Sequence, residues 1–219
     1  MVVGHLGLVG CKNMEDSACK KCRRAGQKLF LKGERCFTPK CAMVKKPYVP
    51  GIHGKKRRRG LSEYGSQLAE KQKLRRIYGV NERQLNKYFK EASKAKGATT
   101  EILLTKLETR IDNVIFRLGL AESRAKARQI VSHGHILLND RKVDIPSIQV
   151  KKGDVIKIKK SSLNKGLFKN LETRLKKYNP PSWLSLDKKD WQATILALPS
   201  KEETEVPLEL QMVVEYYSR

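Results

Sequence analysis

The chain has 219 residues, with 47 lysines and arginines against 22 acids, a formal net charge of +25, and 39% hydrophobic residues. That is enough for one large or two modest domains with real cores, while the charge calls for a polyanionic partner, nucleic acid ahead of an anionic membrane surface. No run of 18 apolar residues exists to cross a bilayer, so a membrane partner is excluded as an expectation.

The opening "MVVGHLGLVG" is apolar but short, glycine-broken and without a basic n-region, so it reads as neither a signal peptide nor an Arg- and Ser-rich transit peptide. Residues 1–18 stand as an N-terminal extension, and the chain is expected to stay in the reducing cytoplasm. The odd count of five cysteines also argues against a disulfide framework. From Cys19 to Arg59 there are 15 bases and one acid, Glu34; from Ser200 to Arg219 there are two bases and five acids. One end is built for phosphate and the other is not.

Cys19, Cys22, Cys36 and Cys41 form C-x2-C-x13-C-x4-C within residues 19–45. Two short-spaced pairs joined by a loop suit a tetrahedral thiolate cage, each pair presenting two sulfurs from one turn. Zinc is the default ion and an iron–sulfur cluster its rival, since four thiolates serve either. The positive surroundings are expected to lower the thiol pKa values. A stretch with few apolar residues among so many charges needs such a staple to fold. Cys11 has no partner at matching spacing and reads as free or as a substitute ligand. A catalytic cysteine lacks a paired base: His5, His53, His133 and His135 are the only histidines, and none is tied to a cysteine by a motif.

"KKPYVPGIHGKKRRRG", Lys45 to Gly60, holds two prolines, three glycines and five consecutive bases, a loop or linker. A helix is expected from an N-cap at Ser62 to a stop at Gly79. A second opens with Asn81 and Gln84 in capping-box spacing, buries Leu85, Tyr88, Phe89 and Ala92, and closes by Gly97. Tyr64, Tyr78 and Tyr88 have rings able to stack on bases, though packing is the reading for Tyr88.

The stripe Leu104, Leu107, Ile111, Val114, Ile115 and Leu118 predicts one helix from Thr99 or Thr100 to Gly119. Ser123 caps a fourth helix with a thin apolar face, Ala127, Ile130 and Val131. Its arginine ridge, Arg124 and Arg128, is read as facing an anion. "HGH" at 133–135 reads as helix-end histidines rather than a chelate. The period then changes to two: "HILLNDRKVD" is strand, turn at Asn139-Asp140, strand, and "GDVIKIKK" alternates again. "PPSWLSLDKKDWQATILALP" predicts a hairpin turning at 187–190, and "LQMVVEYYSR" a short strand.

The segment "ETRIDNVIFRLGLAESRAKARQIVSHGHILLNDRKVDIPSIQVKKGDVIKI", Glu108 to Ile158, resembles the RNA-binding module named for ribosomal protein S-four. "CKKCRRAGQKLFLKGERCFTPKC", "GKKRRRGLSEYGSQLAEKQKLRRIYG" and "VEYYSR" resemble the bacterial S-four family itself, over nearly all of Cys19 to Arg219. The resemblance implies an α+β fold: a four-cysteine metal-binding N-terminal region, a basic loop and helical domain (46–98), an S-four-type RNA-binding module of two helices plus a small mostly antiparallel sheet (99–199), and an acidic tail (200–219) packed on the helical domain. It implies a structural constituent of the small ribosomal subunit that binds rRNA directly, nucleates assembly of the 5′ domain and affects accuracy. Its implied neighbours are ribosomal proteins five and three, and mRNA where it enters the subunit.

Carried over by position, the module's RNA face is Arg110, Arg117, Ser123, Arg124, Lys126, Arg128, Gln129, His133 and His135, and the family's zinc ligands fall on Cys19, Cys22, Cys36 and Cys41. The expected RNA-facing set also takes in Arg23, Arg24, Lys28, Lys32 and Arg35 of the cysteine region, His53, Lys55, Lys56, Arg57, Arg58 and Arg59 of the loop, and Lys73, Arg75 and Arg76 of the first helix. Two rivals share the module. A pseudouridine synthase is echoed by "TRIDN" at Thr109, but Asp112 falls inside the module's own apolar-striped helix and the catalytic domain has no counterpart. A stress-type RNA-binding module is shorter and lacks the cysteine region.

Overall fold

The computed structural model describes residues 12–56, 60–163, 166–168, 171–176, 178–187, 190–200, 203–204 and 207–219. The readings for Cys11 and for Arg57, Arg58 and Arg59 lie outside them, as do most of the N-terminal extension and part of the 187–190 turn. The chain divides into two compact units, residues 1–59 and 60–219.

In the first unit a helix, α1 (Lys12–Ala25), is followed by a single 3-10 turn (Gly33–Cys36) and a one-turn helix, α2 (Ala42–Lys45). Among its described side chains the buried apolar ones are few: Leu29, Cys22, Cys36 and Cys41. No helix or strand occurs across 46–56, in keeping with the prolines and glycines there.

The second unit begins with α3 (Glu63–Tyr78), where the Ser62 hydroxyl accepts from the Gly65 N–H at 3.2 Å and Gly79 ends the helix at φ 64°. α4 (Glu82–Lys94) opens on a complete capping box: Asn81 Oδ1 accepts from the Gln84 N–H at 2.7 Å and Gln84 Oε1 from the Asn81 N–H at 3.4 Å. It buries Leu85, Tyr88, Phe89 and Ala92, and ends at Lys94, with Ala95 extended before Gly97 is reached.

The single helix expected from Thr99 to Gly119 is two, α5 (Thr99–Glu108) and α6 (Ile111–Arg117). The apolar spacing is continuous, but Arg110 is extended (ψ 135°) and pairs with Gln149 in an isolated antiparallel bridge. The Ile111 N–H goes to Ile148 O at 2.8 Å and the Val150 N–H to Thr109 O at 2.9 Å. Backbone groups that would have continued the helix are satisfied by a passing segment instead. Gly119, at φ 73°, ends α6 where an added Cβ would lie 2.7 Å from Cδ1 of Tyr178, so both conformation and space demand glycine.

Ser123 caps α7 (Arg124–Ser132), accepting from the Lys126 N–H at 3.3 Å. Strands β1 (Ile136–Leu138), β2 (Arg141–Val143) and β3 (Val155–Ile158) are followed by short helices α8 (Lys160–Leu163) and α9 (Leu171–Lys176), then β4 (Leu184–Asp187) and β5 (Gln192–Ile195). All pairings are antiparallel, in the order β2-β1-β3-β5-β4. Asn139 and Asp140 both take positive φ, 50° and 64°, the type I′ geometry of a two-residue hairpin. The core joins Val114 and Ile115 of α6, its C-cap residue Leu118, and Ile130 and Val131 of α7 to Ile136, Ile156 and Ile195 of the sheet, closed by Trp183 and Phe168.

The chain ends not in a strand but in α10 (Leu210–Ser218). Val213 and Tyr217 are spaced four apart, a helical rather than an alternating pattern. Val213 is fully buried, Tyr217 stacks on Phe89 with ring centres 5.0 Å apart, and Tyr216 lies 5.6 Å from Tyr64. Lys71, its side chain 5% exposed, sits 4.3 Å over the Tyr216 ring and bonds Glu82 at 2.8 Å; Tyr217 donates to the same carboxylate at 2.7 Å.

Candidate nucleic-acid interface

The four spaced cysteines are all unbridged thiols, Cys19 half-buried and the others buried. Cys19 and Cys22 lie one turn apart on α1, Cys36 ends the 3-10 turn and Cys41 precedes α2. The thiols of Cys22 and Cys36 are pushed up rather than down: burial is the main cause, and the charges of the other cysteines add to it. Their lysine-rich neighbourhood does not reverse this, because most of those ammonium groups stand in water where their charge is screened. Backbone N–H groups act the other way, that of Leu29 toward Cys22 and that of Lys32 toward Cys36 Sγ at 3.4 Å. Among the described residues, no group of three or more Cys, His, Asp or Glu side chains stands in metal-holding geometry. Thiols of this type, with the N–H···S support seen at Cys36, are donors for a soft or borderline ion, but they do not stand in the geometry that would hold one.

The bases around them are largely free. Arg24, Lys28, Arg35, His53, Lys55 and Lys56 are exposed, and Lys32 is half-buried. Two are engaged with Tyr48: Arg23 Nε donates to its carbonyl at 2.8 Å with the guanidinium 4.8 Å over its ring, and Lys55 Nζ lies 5.5 Å from the same ring centre.

In the second unit, much of the predicted RNA face turns inward. Arg110 is 1% exposed; it grips Asp112 with two bonds, 3.1 and 2.8 Å, and donates to the Tyr88 hydroxyl at 2.7 Å. His135 is buried with Nδ1 3.0 Å from Ser162 Oγ and its ring edge-on to Phe168. Ser123 is buried as a helix cap. These three are structural groups, since none presents a surface to a ligand. The ring centres of His133 and His135 are 6.0 Å apart, and only His133 is exposed.

The arginine ridge is also engaged. Arg128 donates twice to Asp112, at 3.2 and 3.0 Å, and to the carbonyl of Gly79 at 2.5 Å. Arg124 donates to Asn113 Oδ1 at 2.7 Å and is sandwiched over Tyr78 and Phe116, 4.8 and 4.5 Å from the ring centres. Arg117 meets Glu108, fully buried, through bonds of 2.9 and 2.8 Å. The Tyr78 hydroxyl donates to Glu108 Oε1 at 2.5 Å, and Asn113 Nδ2 donates to Glu108 Oε2 at 2.6 Å. Burial drives the Glu108 carboxyl toward neutrality, but Arg117, Arg124 and the Tyr78 hydroxyl outweigh it and hold it below the usual carboxylate range. Burial and the Glu108 charge push Tyr78 well above the usual phenol range, so the shared proton stays on tyrosine. Asp112 is thus locked by two arginines and has no freedom to act as a nucleophile.

Lys126 and Gln129 remain on the outer side of α7, half-buried and exposed. Lys126 reaches Glu122 at 3.2 Å. On α3, Lys73 pairs with Glu70 at 2.5 Å, Arg75 pairs with Glu82 at 3.1 Å, and Arg76 is half-buried. A surface outside the predicted set is richer. Arg83, Lys87, Lys90 and Lys94 lie along one side of α4 and line a single shallow groove with Asn86 and Glu91. Among the described residues only Lys87 of these four has an ion pair, a 3.9 Å approach to Glu91. The signal was present in the sequence: steps of four, three and four residues, opposite the apolar face Leu85, Tyr88, Phe89 and Ala92. Such a row of exposed cations along one helix is suited to following a phosphate backbone.

A family model described as "Ribosomal protein S4/S9 N-terminal domain" matches residues 13–108, and one described as "S4 domain" matches residues 109–156. The first begins inside the segment read as an extension. Among similar proteins, the small ribosomal subunit protein uS4 of Thermus thermophilus is 51% identical over 201 residues, covering 92% of this chain and 96% of its own length. Those of Syntrophomonas wolfei and Natranaerobius thermophilus are 47% and 50% identical, covering 93% and 92% of the chain and 98% and 96% of their own lengths. At this identity over nearly the whole length, the chain belongs to the uS4 family of small-subunit ribosomal proteins.

Proposed function

We propose that the chain is a structural constituent of the small ribosomal subunit that binds small-subunit rRNA directly and catalyses no reaction. The observation that carries this is family membership over more than nine-tenths of the chain, and the net charge of +25 supplies the physics. Exposed cations on rigid helices fit a folded RNA by backbone shape and phosphates, without reading bases. Of the expected face, Arg24, Lys28, Arg35, His53, Lys55, Lys56, Gln129 and His133 are exposed, and Arg23, Lys32, Lys73, Arg75, Arg76 and Lys126 half-buried; Arg117, Arg124 and Arg128 offer it only the edges their ion pairs leave free.

Within this reading, the protein acts in the cytoplasm as part of the ribosome, nucleates the 5′ domain, and borders ribosomal proteins five and three near incoming mRNA, where it tunes accuracy. The acidic tail is not part of the RNA contact. Cys19, Cys22, Cys36 and Cys41 hold one zinc, which would fix a region with too few apolar residues to fold alone; their C-x2-C-x13-C-x4-C spacing and the Lys32 N–H contact to Cys36 Sγ support that ion. Elemental analysis of the purified protein is expected to give about one zinc per chain; no metal, or an iron–sulfur absorbance, overturns it. The ribosomal role is tested by washing small subunits in high salt. One copy per subunit should remain, and complete release would mark a transient factor instead.

A further inference from the structure

We infer that Phe30 and Phe37 form a stacking platform for an unpaired nucleobase of the bound rRNA; this rests on the rRNA-binding reading and names a contact within it. The two rings are stacked, with centres 5.0 Å apart and planes at 27°. Both stand at the surface of the first unit, Phe30 40% and Phe37 75% exposed. Soluble surfaces seldom leave two paired phenyl rings open to water, and here the backbone is bent to put them there. Leu29 is buried at 3%, while Phe30 takes φ 50°, a left-handed conformation that a bulky residue rarely adopts. Phe37 is fixed in turn, its N–H bonded to Glu34 O at 3.0 Å at the end of the 3-10 turn.

The surroundings choose the occupant. Lys28 and Lys32 flank Phe30, and Arg35 and Lys40 flank Phe37, each within three residues, with Glu34 as the one acid. Cations beside an open ring face match the two halves of a nucleotide, phosphate and base. An apolar protein partner would have to desolvate those same cations against an uncharged surface. An unstacked base in a loop or junction of folded RNA is the ligand this pairing suits.

The test uses the full-length protein and the transcribed 5′ domain of small-subunit rRNA, with affinity measured across a salt series for wild type, Phe37→Leu, Phe37→Ala and Phe37→Tyr. Phe37→Leu keeps apolar bulk and removes the π face; Phe37→Tyr keeps the face. Loss of one stack should weaken binding by about 5- to 150-fold in the Leu and Ala variants. The slope of affinity against salt should not change, because no charge is removed, and the Tyr variant should bind as wild type does. Wild-type affinity in Phe37→Leu overturns the platform, and so does any loss that comes with a flattened salt slope. Failure of the function reading looks different: the wild type itself then shows no preference for the rRNA, before any variant is compared.

Discussion

The two units of this chain solve the same problem, a fixed cationic surface, with opposite means. Residues 60–219 bury a continuous core in which α6 and α7 pack on a five-stranded antiparallel sheet. They also bury their ion pairs: Glu108 and Asp112 are each enclosed by arginines and a network of hydrogen bonds. Among the side chains described in residues 18–56, Leu29 and three cysteines are buried and little else that is apolar. Most of the cations described in the first unit stand at the surface, where little buried apolar surface surrounds them. The second commits many of its arginines to itself, and the cations it leaves free sit on helix faces that the core has already fixed. Rigidity therefore comes from apolar packing in one unit and, on our reading, from a metal staple in the other.

That contrast breaks most visibly if the staple is withdrawn. Structural zinc in small domains is worth about 10–16 kcal/mol of apparent folding free energy at neutral pH. Chelation, or Cys36→Ser, should therefore abolish hydrogen-exchange protection in residues 12–56 while the melting of residues 60–219 stays in place. Protection that survives complete metal removal would show that the first unit folds without it.

Glu108→Ala comes next. It leaves Arg117 with no carboxylate and the Tyr78 hydroxyl with no acceptor, and should cost about 3–5 kcal/mol by chemical denaturation, as breaking a buried pair does. Replacing Arg124 and Arg128 by alanine should cost roughly 2–4 kcal/mol, discounted because the Arg128 side chain is 36% exposed. A loss of rRNA affinity in that double variant without any loss of stability would instead restore the arginine ridge as a free binding surface.

Acid should act through the same groups. Burial opposes ionisation of Glu108 and Glu82, but their cationic and hydroxyl partners lower both pKa values; Glu91 is lowered chiefly by its bond to Lys106. Folded pKa values below the unfolded ones mean that the unfolded chain binds more protons in between, so stability rises with pH there. It should be fully present above the unfolded carboxylate range and fall as pH drops through the folded values, which denaturation followed from pH 7 to pH 3 would read. The smallest effect on stability is expected for Lys87, Lys90 and Lys94 replaced together by glutamine, within about 0.5 kcal/mol. The same variant should flatten the salt dependence of rRNA binding by about one unit of slope per lysine.

Local signals carried much of this architecture. Ser62, Asn81 with Gln84, and Ser123 announced helix starts that the fold uses, and Asn139-Asp140 announced its hairpin, because caps and tight turns are settled by neighbours in the chain. The break at Arg110 was not legible, since its cause is a segment some forty residues downstream that takes up the backbone bonds. The roles of Arg110 and His135 were hidden for the same reason. An arginine beside an apolar stripe reads as a surface charge until Asp112 and Tyr88 are found closing over it. The C-terminal helix was missed because three adjacent apolar residues, Met212 to Val214, suit a strand as well as a helix, and only packing on α3 and α4 decides. The α4 ridge, by contrast, was readable: a helix whose buried face is known has its solvent face fixed by the same periodicity.

The central claim, that folded ribosomal RNA is the ligand, is tested most directly by titrating the intact chain against the 5′ domain of small-subunit rRNA and against an unstructured RNA of equal length, each over a range of salt. The account predicts that both affinities fall steeply as salt rises and that a preference for the 5′ domain persists throughout. Equal affinity for the two RNAs at every salt concentration would contradict it.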